Sequence, residues 1–180
     1  MMNVSNKLLN GHINKAQLAD RIKTMAEQLE QHTTKHDNGL PPVFICVLNG
    51  AYKFFTDLVS EYNGLCEIDF IKAKSYIGKD NSSGVQIKSD VEVDLLGKNL
   101  YIIDDIIDTG NTMKELVIHF NQQSPNRISV VSLLKRRSDD HPIDLYGFEI
   151  DDEWVVGYGL DDMGLNRNLE NIYAKGKTND

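Results

Sequence analysis

Apolar positions recur at helical spacing from Ile13 to roughly His36, where Leu18, Ile22, Met25 and Leu29 fall on one face. Asn38-Gly39-Leu40-Pro41-Pro42 ends that pattern, because glycine and proline punctuate regular structure. The period then changes. Val43 to Leu48 is a continuous apolar run of strand length, and Tyr52 to Glu61 reads as a helix. Cys66 to Tyr76 alternates as a strand, with Ile68, Phe70 and Ala73 expected on one face. Ile77 to Gly84 is polar and contains Gly and Ser, so a mobile loop is expected there, with Val85 to Val91 returning as a strand. Leu100 to Asp104 predicts a central strand, Thr112 to Gln122 a helix and Ile128 to Leu134 another strand. Short β segments follow at Leu145 to Phe148 and Trp154 to Val156. Strands alternating with helices predict an α/β fold with a parallel sheet. In such sheets ligands bind beyond the carboxyl ends of the strands. The loops at Asn49, Asp105, Lys135 and Asp161 are therefore expected to converge on one cleft.

A length of 180 residues suits one domain, 1–180, with a core of its own. The formal charge of -8 argues against nucleic acid or an anionic membrane as the main partner. An anionic substrate would then have to be met by local cations or a metal ion. The two cysteines, Cys46 and Cys66, have no metal or redox spacing, and Cys46 lies in an apolar run, as a reduced core residue would. Val43 to Leu48, the longest apolar run, is far too short to span a bilayer, and Met1 to His12 lacks the apolar stretch of a signal peptide. A cytoplasmic location is expected.

The candidate chemistry is concentrated in Asp104-Asp105-Ile106-Ile107-Asp108-Thr109-Gly110-Asn111-Thr112, between an apolar strand and a helical pattern from Met113 to Phe120. Backbone N–H groups at a helix N-terminus lack partners, and with the helix dipole they form an anion site. Gly110 permits a tight turn and close approach of a ligand, while Thr109 and Thr112 add hydroxyl donors. Thr112 with Glu115 has the spacing of a capping box. Asp104 and Asp105 would repel a phosphate; they suit a metal ion or sugar hydroxyls, and Asp108 is near enough to act on the same ligand. Such a loop can hold a sugar by its hydroxyls and its phosphate together.

These nine residues resemble the phosphoribosyl diphosphate signature of the type I phosphoribosyltransferases. More narrowly, the chain resembles the hypoxanthine-guanine phosphoribosyltransferases from about Pro42 to Tyr173, through Val47-Leu48-Asn49-Gly50-Ala51-Tyr52-Lys53-Phe54-Phe55, Lys74-Ser75-Tyr76 and Val155-Val156-Gly157-Tyr158-Gly159-Leu160-Asp161. The resemblance implies a twisted parallel sheet flanked by helices. It adds a small hood from the N-terminal helix and residues 145–180, and a flexible lid hairpin, about 74–88, carrying Ser75 and Tyr76. It implies purine salvage: transfer of 5-phosphoribosyl from phosphoribosyl diphosphate to hypoxanthine or guanine, giving IMP or GMP and pyrophosphate, with Mg2+ as cofactor and a homodimer or homotetramer as the assembly. A xanthine-preferring enzyme and a non-catalytic phosphoribosyl diphosphate sensor are the alternatives.

By the same resemblance Asp108 is the acid or base at the purine nitrogen. Asp104, Asp105, Thr109, Gly110, Asn111 and Thr112 hold ribose and phosphate. Leu48, Asn49 and Gly50 form the pyrophosphate loop, whose first bond, Leu48–Asn49, is often a non-proline cis peptide in the family. Most members carry a basic residue where Asn49 stands. Arg167 clamps pyrophosphate, Trp154 stacks on the purine, and Val155 offers it backbone hydrogen bonds. Asp161 lies near the purine edge and, with Asp104 and Asp105, near the metal. The family uses a Lys after an apolar strand to read the purine 6-oxo group. Here Leu134-Lys135-Arg136-Arg137 leaves Lys135 and Arg136 as rival candidates.

Overall fold

The computed structural model describes residues 8–77, 83–138 and 141–175. Along the chain these form β1 (Leu8–Ile13), α1 (Lys15–Lys35), β2 (Val43–Leu48), α2 (Tyr52–Glu61), β3 (Glu67–Ile77), β4 (Ser83–Ser89), β5 (Asn99–Ile107), α3 (Asn111–Asn121), β6 (Arg127–Arg136), β7 (Leu145–Ile150), β8 (Trp154–Val156) and β9 (Ile172–Lys175). The main sheet has six strands in the order β4-β3-β2-β5-β6-β7. Every pair is parallel except β3 with β4, which is antiparallel. The expected α/β fold with flanking helices is therefore the observed one, with an antiparallel hairpin at one edge.

The central strands are apolar along most of their length because both sheet faces are covered. Phe44, Cys46, Tyr101 and Ile103 face a core closed by α1 and α2, through Leu18, Ile22, Met25, Phe54 and Leu58. Val43, Ile45, Leu100 and Ile102 face the other core, closed by Met113, Leu116 and Phe120 of α3. The alternation follows from the two-residue period of strand side chains. Cys46 is a free, buried thiol, as expected, and burial chiefly, with the Asp104 and Asp105 charges, pushes its pKa up to about 12.

A second sheet, β1-β9-β8, joins the two ends of the described chain. Residues 8–13 were not expected to form a strand, and Ile13 was expected in the helix. The Asn14 side chain accepts from the Gln17 N–H while the Gln17 side chain accepts from the Asn14 N–H, both at 3.0 Å. That capping box starts α1 at Lys15 and leaves Ile13 to pair with Ile172.

Other boundaries also moved. Ile68 and Phe70 are half-exposed beside α2, where the Phe55 and Phe70 rings stand 5.6 Å apart. Ala73 instead packs with Ile71 on the α3 side, beyond an irregularity in the β3–β4 register at Lys72/Ala73. The expected mobile loop lies in part outside the described residues, at 78–82. Ser75 and Tyr76 belong to β3, with backbones paired to Val85 and Gly84. No helix among the described residues is long and apolar enough to cross a membrane.

Candidate active site

Strand β5 does not end at Asp104. It continues to Ile107, with Asp104 opposite Ser132, Ile106 opposite Leu134 and Ile107 opposite Lys135 of β6. Asp104 and Asp105 are thus set by the sheet rather than by a loop. Asp104 is buried, and its Oδ1 accepts the Asp105 N–H at 2.9 Å, while Asp105 Oδ1 accepts the Ile106 N–H at 3.0 Å. Burial, then the Asp105 charge, holds Asp104 well above the usual carboxylate range. Burial also raises Asp105, against hydrogen bonds that favour its charged form and the nearby Arg167 guanidinium.

A pair that resists carrying two charges costs stability when both ionise. The cost is absent below the unfolded carboxylate pKa and grows as pH rises through the raised folded values, since the folded state then holds more protons than the unfolded one. Asp104→Asn keeps the acceptor for the Asp105 N–H and removes the charge. It is expected to raise the thermal midpoint of the ligand-free protein at pH 7–8 by a few degrees, about 1 kcal/mol at roughly 2–4 °C per kcal/mol, with the gap closing towards pH 4. Calorimetry across that range checks the sign; a midpoint lowered at pH 8 would refute it.

Asp108-Thr109-Gly110 is the whole of the turn. Gly110, at φ +67, is the N-cap of α3, and no side chain caps the helix. The expected Thr112–Glu115 capping box is therefore absent. Thr112 lies inside the helix as its second residue, because the left-handed glycine ends the turn earlier. The first-turn N–H groups of Asn111, Thr112 and Met113 are left pointing out of the helix end. His141, which no sequence signal singled out, packs its ring against Gly110.

A cavity of about 530 Å³ opens beside this turn, lined on one side by Asp105, Ile106, Asp108 and Arg136. Trp154, Val155, Leu160, Asp161, Asp162 and Met163 line the other. Trp154 is 56% exposed, leaving its indole face open. Arg136 is held tightly: Nε donates to Asp108, and Nη1 donates to the carbonyl oxygens of Asp151 at 2.9 Å and Glu153 at 3.0 Å. Lys135 points elsewhere, with its ammonium 5.5 Å from the Tyr146 ring centre. Both lie in β6, where successive side chains take opposite faces, so only one of the pair can line the cavity.

The β2 turn meets the other two elements here. The Leu48–Asn49 peptide is cis. A Cβ on Gly50 would overlap the Asp105 carboxylate, and a Cβ on Gly159, at φ +104, would overlap the Gly50 carbonyl oxygen. Arg167 Nη1 donates to the Gly159 oxygen at 2.7 Å, and Nη2 donates to Asp161 Oδ1 at 2.5 Å. Asp161 Oδ2 accepts the Gly164 N–H at 2.7 Å. Tyr158 donates to Asp57, tying the Gly157-Tyr158-Gly159 turn to α2. The cavity thus unites Asp105, Asp108, Arg136, Trp154, Val155 and Asp161 of the expected residues, while Leu48, Asn49, Gly50, Asp104, Thr109, Gly110, Asn111, Thr112, Lys135 and Arg167 do not line it. Leu160, Asp162, Met163 and Gly159 were not anticipated as site residues. Only the Gly-Tyr-Gly spacing at 157–159 gave any signal for the last.

Among the described residues no three of His, Cys, Asp and Glu form a group that could hold a metal ion. The Asp104–Asp105 pair supplies hard oxygen donors of the kind Mg2+ takes when substrate oxygens and water complete its shell.

Comparison with known proteins points to the same chemistry. The profile of the family described as phosphoribosyl transferase domain matches residues 12–163. The chain is 32% identical over 177 residues to a hypoxanthine-guanine phosphoribosyltransferase of Aquifex aeolicus, covering 96% of this chain and 98% of that protein. It is 32% identical over 154 residues to a hypoxanthine-guanine-xanthine phosphoribosyltransferase of Tritrichomonas foetus, covering 83% and 84%. A crystal structure of a hypoxanthine-guanine phosphoribosyltransferase from Bacillus anthracis superposes with a TM-score of 0.83 at 34% identity, covering 92% of this chain and 97% of that one.

Proposed function

We propose a reaction from one premise: this chain belongs to the phosphoribosyl transferase family. The reaction is transfer of ribose 5-phosphate from phosphoribosyl diphosphate to a ring nitrogen of hypoxanthine or guanine, releasing pyrophosphate. The observation that carries it is the cavity of about 530 Å³ that Trp154, with its indole exposed, shares with Asp105, Asp108 and Arg136.

The N–H groups of Asn111, Thr112 and Met113, with the hydroxyls of Thr109 and Thr112, hold the 5-phosphate, where the helix dipole favours an anion. Asp104 and Asp105 receive the ribose hydroxyls. As the sugar carbon becomes cation-like, their negative charge stabilises it. Trp154 and Ile106 sandwich the purine, Val155 offers its backbone to the base edge, and Arg136 donates to the 6-oxo group. Asp108 exchanges the purine ring proton. The backbone of Leu48, Asn49 and Gly50, with Arg167, receives pyrophosphate; because Asn49 brings no cation, Arg167 supplies the local positive charge. Mg2+, where bound, would be held by Asp104 and Asp105, with Asp161 towards the pyrophosphate, and would neutralise charge on the leaving group. The β3–β4 hairpin carrying Ser75 and Tyr76 closes over the sugar, keeping water from the cation-like carbon.

A panel of purines with phosphoribosyl diphosphate and Mg2+, read by pyrophosphate release and by separation of nucleotides, tests the reading. Hypoxanthine and guanine are expected to be used, and adenine at least roughly 10²-fold less well. Adenine presents an amino donor where Arg136 requires an acceptor, and mismatched buried polar groups are costly. Equal use of adenine, or release that does not depend on purine, would refute it.

A further inference from the structure

We propose that Arg136 is the positioning residue for Asp108, joining the proton-exchanging carboxylate and the purine platform into one unit; this rests on the reaction given above. Three of the five guanidinium N–H groups are committed. Nε holds Asp108, and Nη1 holds the carbonyl oxygens of Asp151 and Glu153, in the turn that leads directly into Trp154. The side chain is 12% exposed, against 63% for Asp108, so the anchor is the buried partner and the carboxylate the mobile one. Alone, a carboxylate this exposed at the tip of a turn would sample many rotamers. Pinned by Nε, it faces the same cavity as the indole. Nη2, which no hydrogen bond among the described residues engages, remains on the cavity-lining residue to meet the purine oxygen.

This geometry belongs to arginine. A planar fork with five donors can reach a carboxylate, two carbonyls and a ligand at once. A lysine ammonium is a single point with three donors and cannot span those positions while serving the ligand. Where the resemblance implies a lysine that reads the base, this chain carries an arginine that reads the base and sets the direction of the acid–base group. Loss of the fork should therefore act on the chemical step through Asp108 rather than on purine affinity.

A double-mutant cycle on the full chain separates the two. Arg136→Lys is expected to lower kcat at least tenfold while leaving KM for hypoxanthine within about threefold, because a cation is kept near the 6-oxo group. In an Asp108→Asn background the same change is expected to cost less than twofold, since the group it positions no longer exchanges a proton. IMP binding, read by fluorescence of Trp154, the single tryptophan, should persist in both. If Arg136→Lys does not fold, Arg136→Gln is read through the same cycle. A loss below twofold in the parent, or an equal loss in both backgrounds, overturns the positioning role while leaving the reaction standing. A parent protein that releases no pyrophosphate with any purine overturns the reaction itself and this role with it.

Discussion

Asp108→Asn is expected to lower the rate of the chemical step by about 10²-fold or more, the low end of what a positioned general acid or base contributes. The substitution is nearly isosteric. Asn keeps a carbonyl oxygen for the Arg136 Nε bond, so the turn and the β6 side of the cavity should stay in place. What it removes is the ability to take up and return a proton. The side chain is mostly exposed and does not support the core, so the thermal midpoint should move little. The rate is best read in a single turnover, because product release limits many enzymes and would mask a chemical defect. IMP binding through Trp154 fluorescence serves as the control for an intact site. A variant that turns over within threefold of the parent would remove Asp108 from the mechanism.

The second large effect is expected at a residue with no side chain. Gly50→Ala should lower kcat/KM for phosphoribosyl diphosphate by about 10²-fold, comparable to the effect of a 1 Å misplacement in a reacting site. The reason is steric and local. The new methyl would enter the space of the Asp105 carboxylate, and the Gly50 carbonyl already lies against Gly159. Three segments meet there: the turn after β2, the acid pair of β5 and the Gly157-Tyr158-Gly159 turn. None can yield without moving a group to which the proposed reaction assigns ribose or pyrophosphate. Gly39→Ala is the matched control, with φ +81 and nothing within 4 Å of the added carbon. Its left-handed backbone should cost about 1–2 kcal/mol of stability and no activity. Should Gly50→Ala keep kcat/KM within threefold, the close packing is not what sets Asp104 and Asp105.

Much of this site is legible along the chain, and the misreadings share a cause. Asp104 to Thr112 stood out because strand, acids, glycine and helix follow one another without interruption. Where β5 ends did not stand out. The chain after Asp104 read as loop, yet β6 pairs with it as far as Ile107, and that pairing partner lies some 28 residues away. The Thr112–Glu115 spacing was equally reasonable and is overridden by Gly110, whose left-handed conformation starts the helix earlier. Lys135 and Arg136 could not be told apart while β6 was thought to end at Leu134. Once the strand runs to Arg136, alternation assigns one of them to the cavity.

The order of apolar runs and helical stretches by itself determined an α/β fold, because burial on both faces of a central sheet leaves continuous apolar strands that any single segment displays. It likewise determined a tight turn between acids and a helix with unpartnered backbone donors, since the exposure of those donors follows from local geometry. Three things were decided only by tertiary structure: the Gly50–Asp105–Gly159 contact, the grip of Arg136 on Asp108 and two distant carbonyls, and the pairing of β1 with β9. Each joins segments far apart in the chain, and complementarity across space leaves no period or spacing in any one of them.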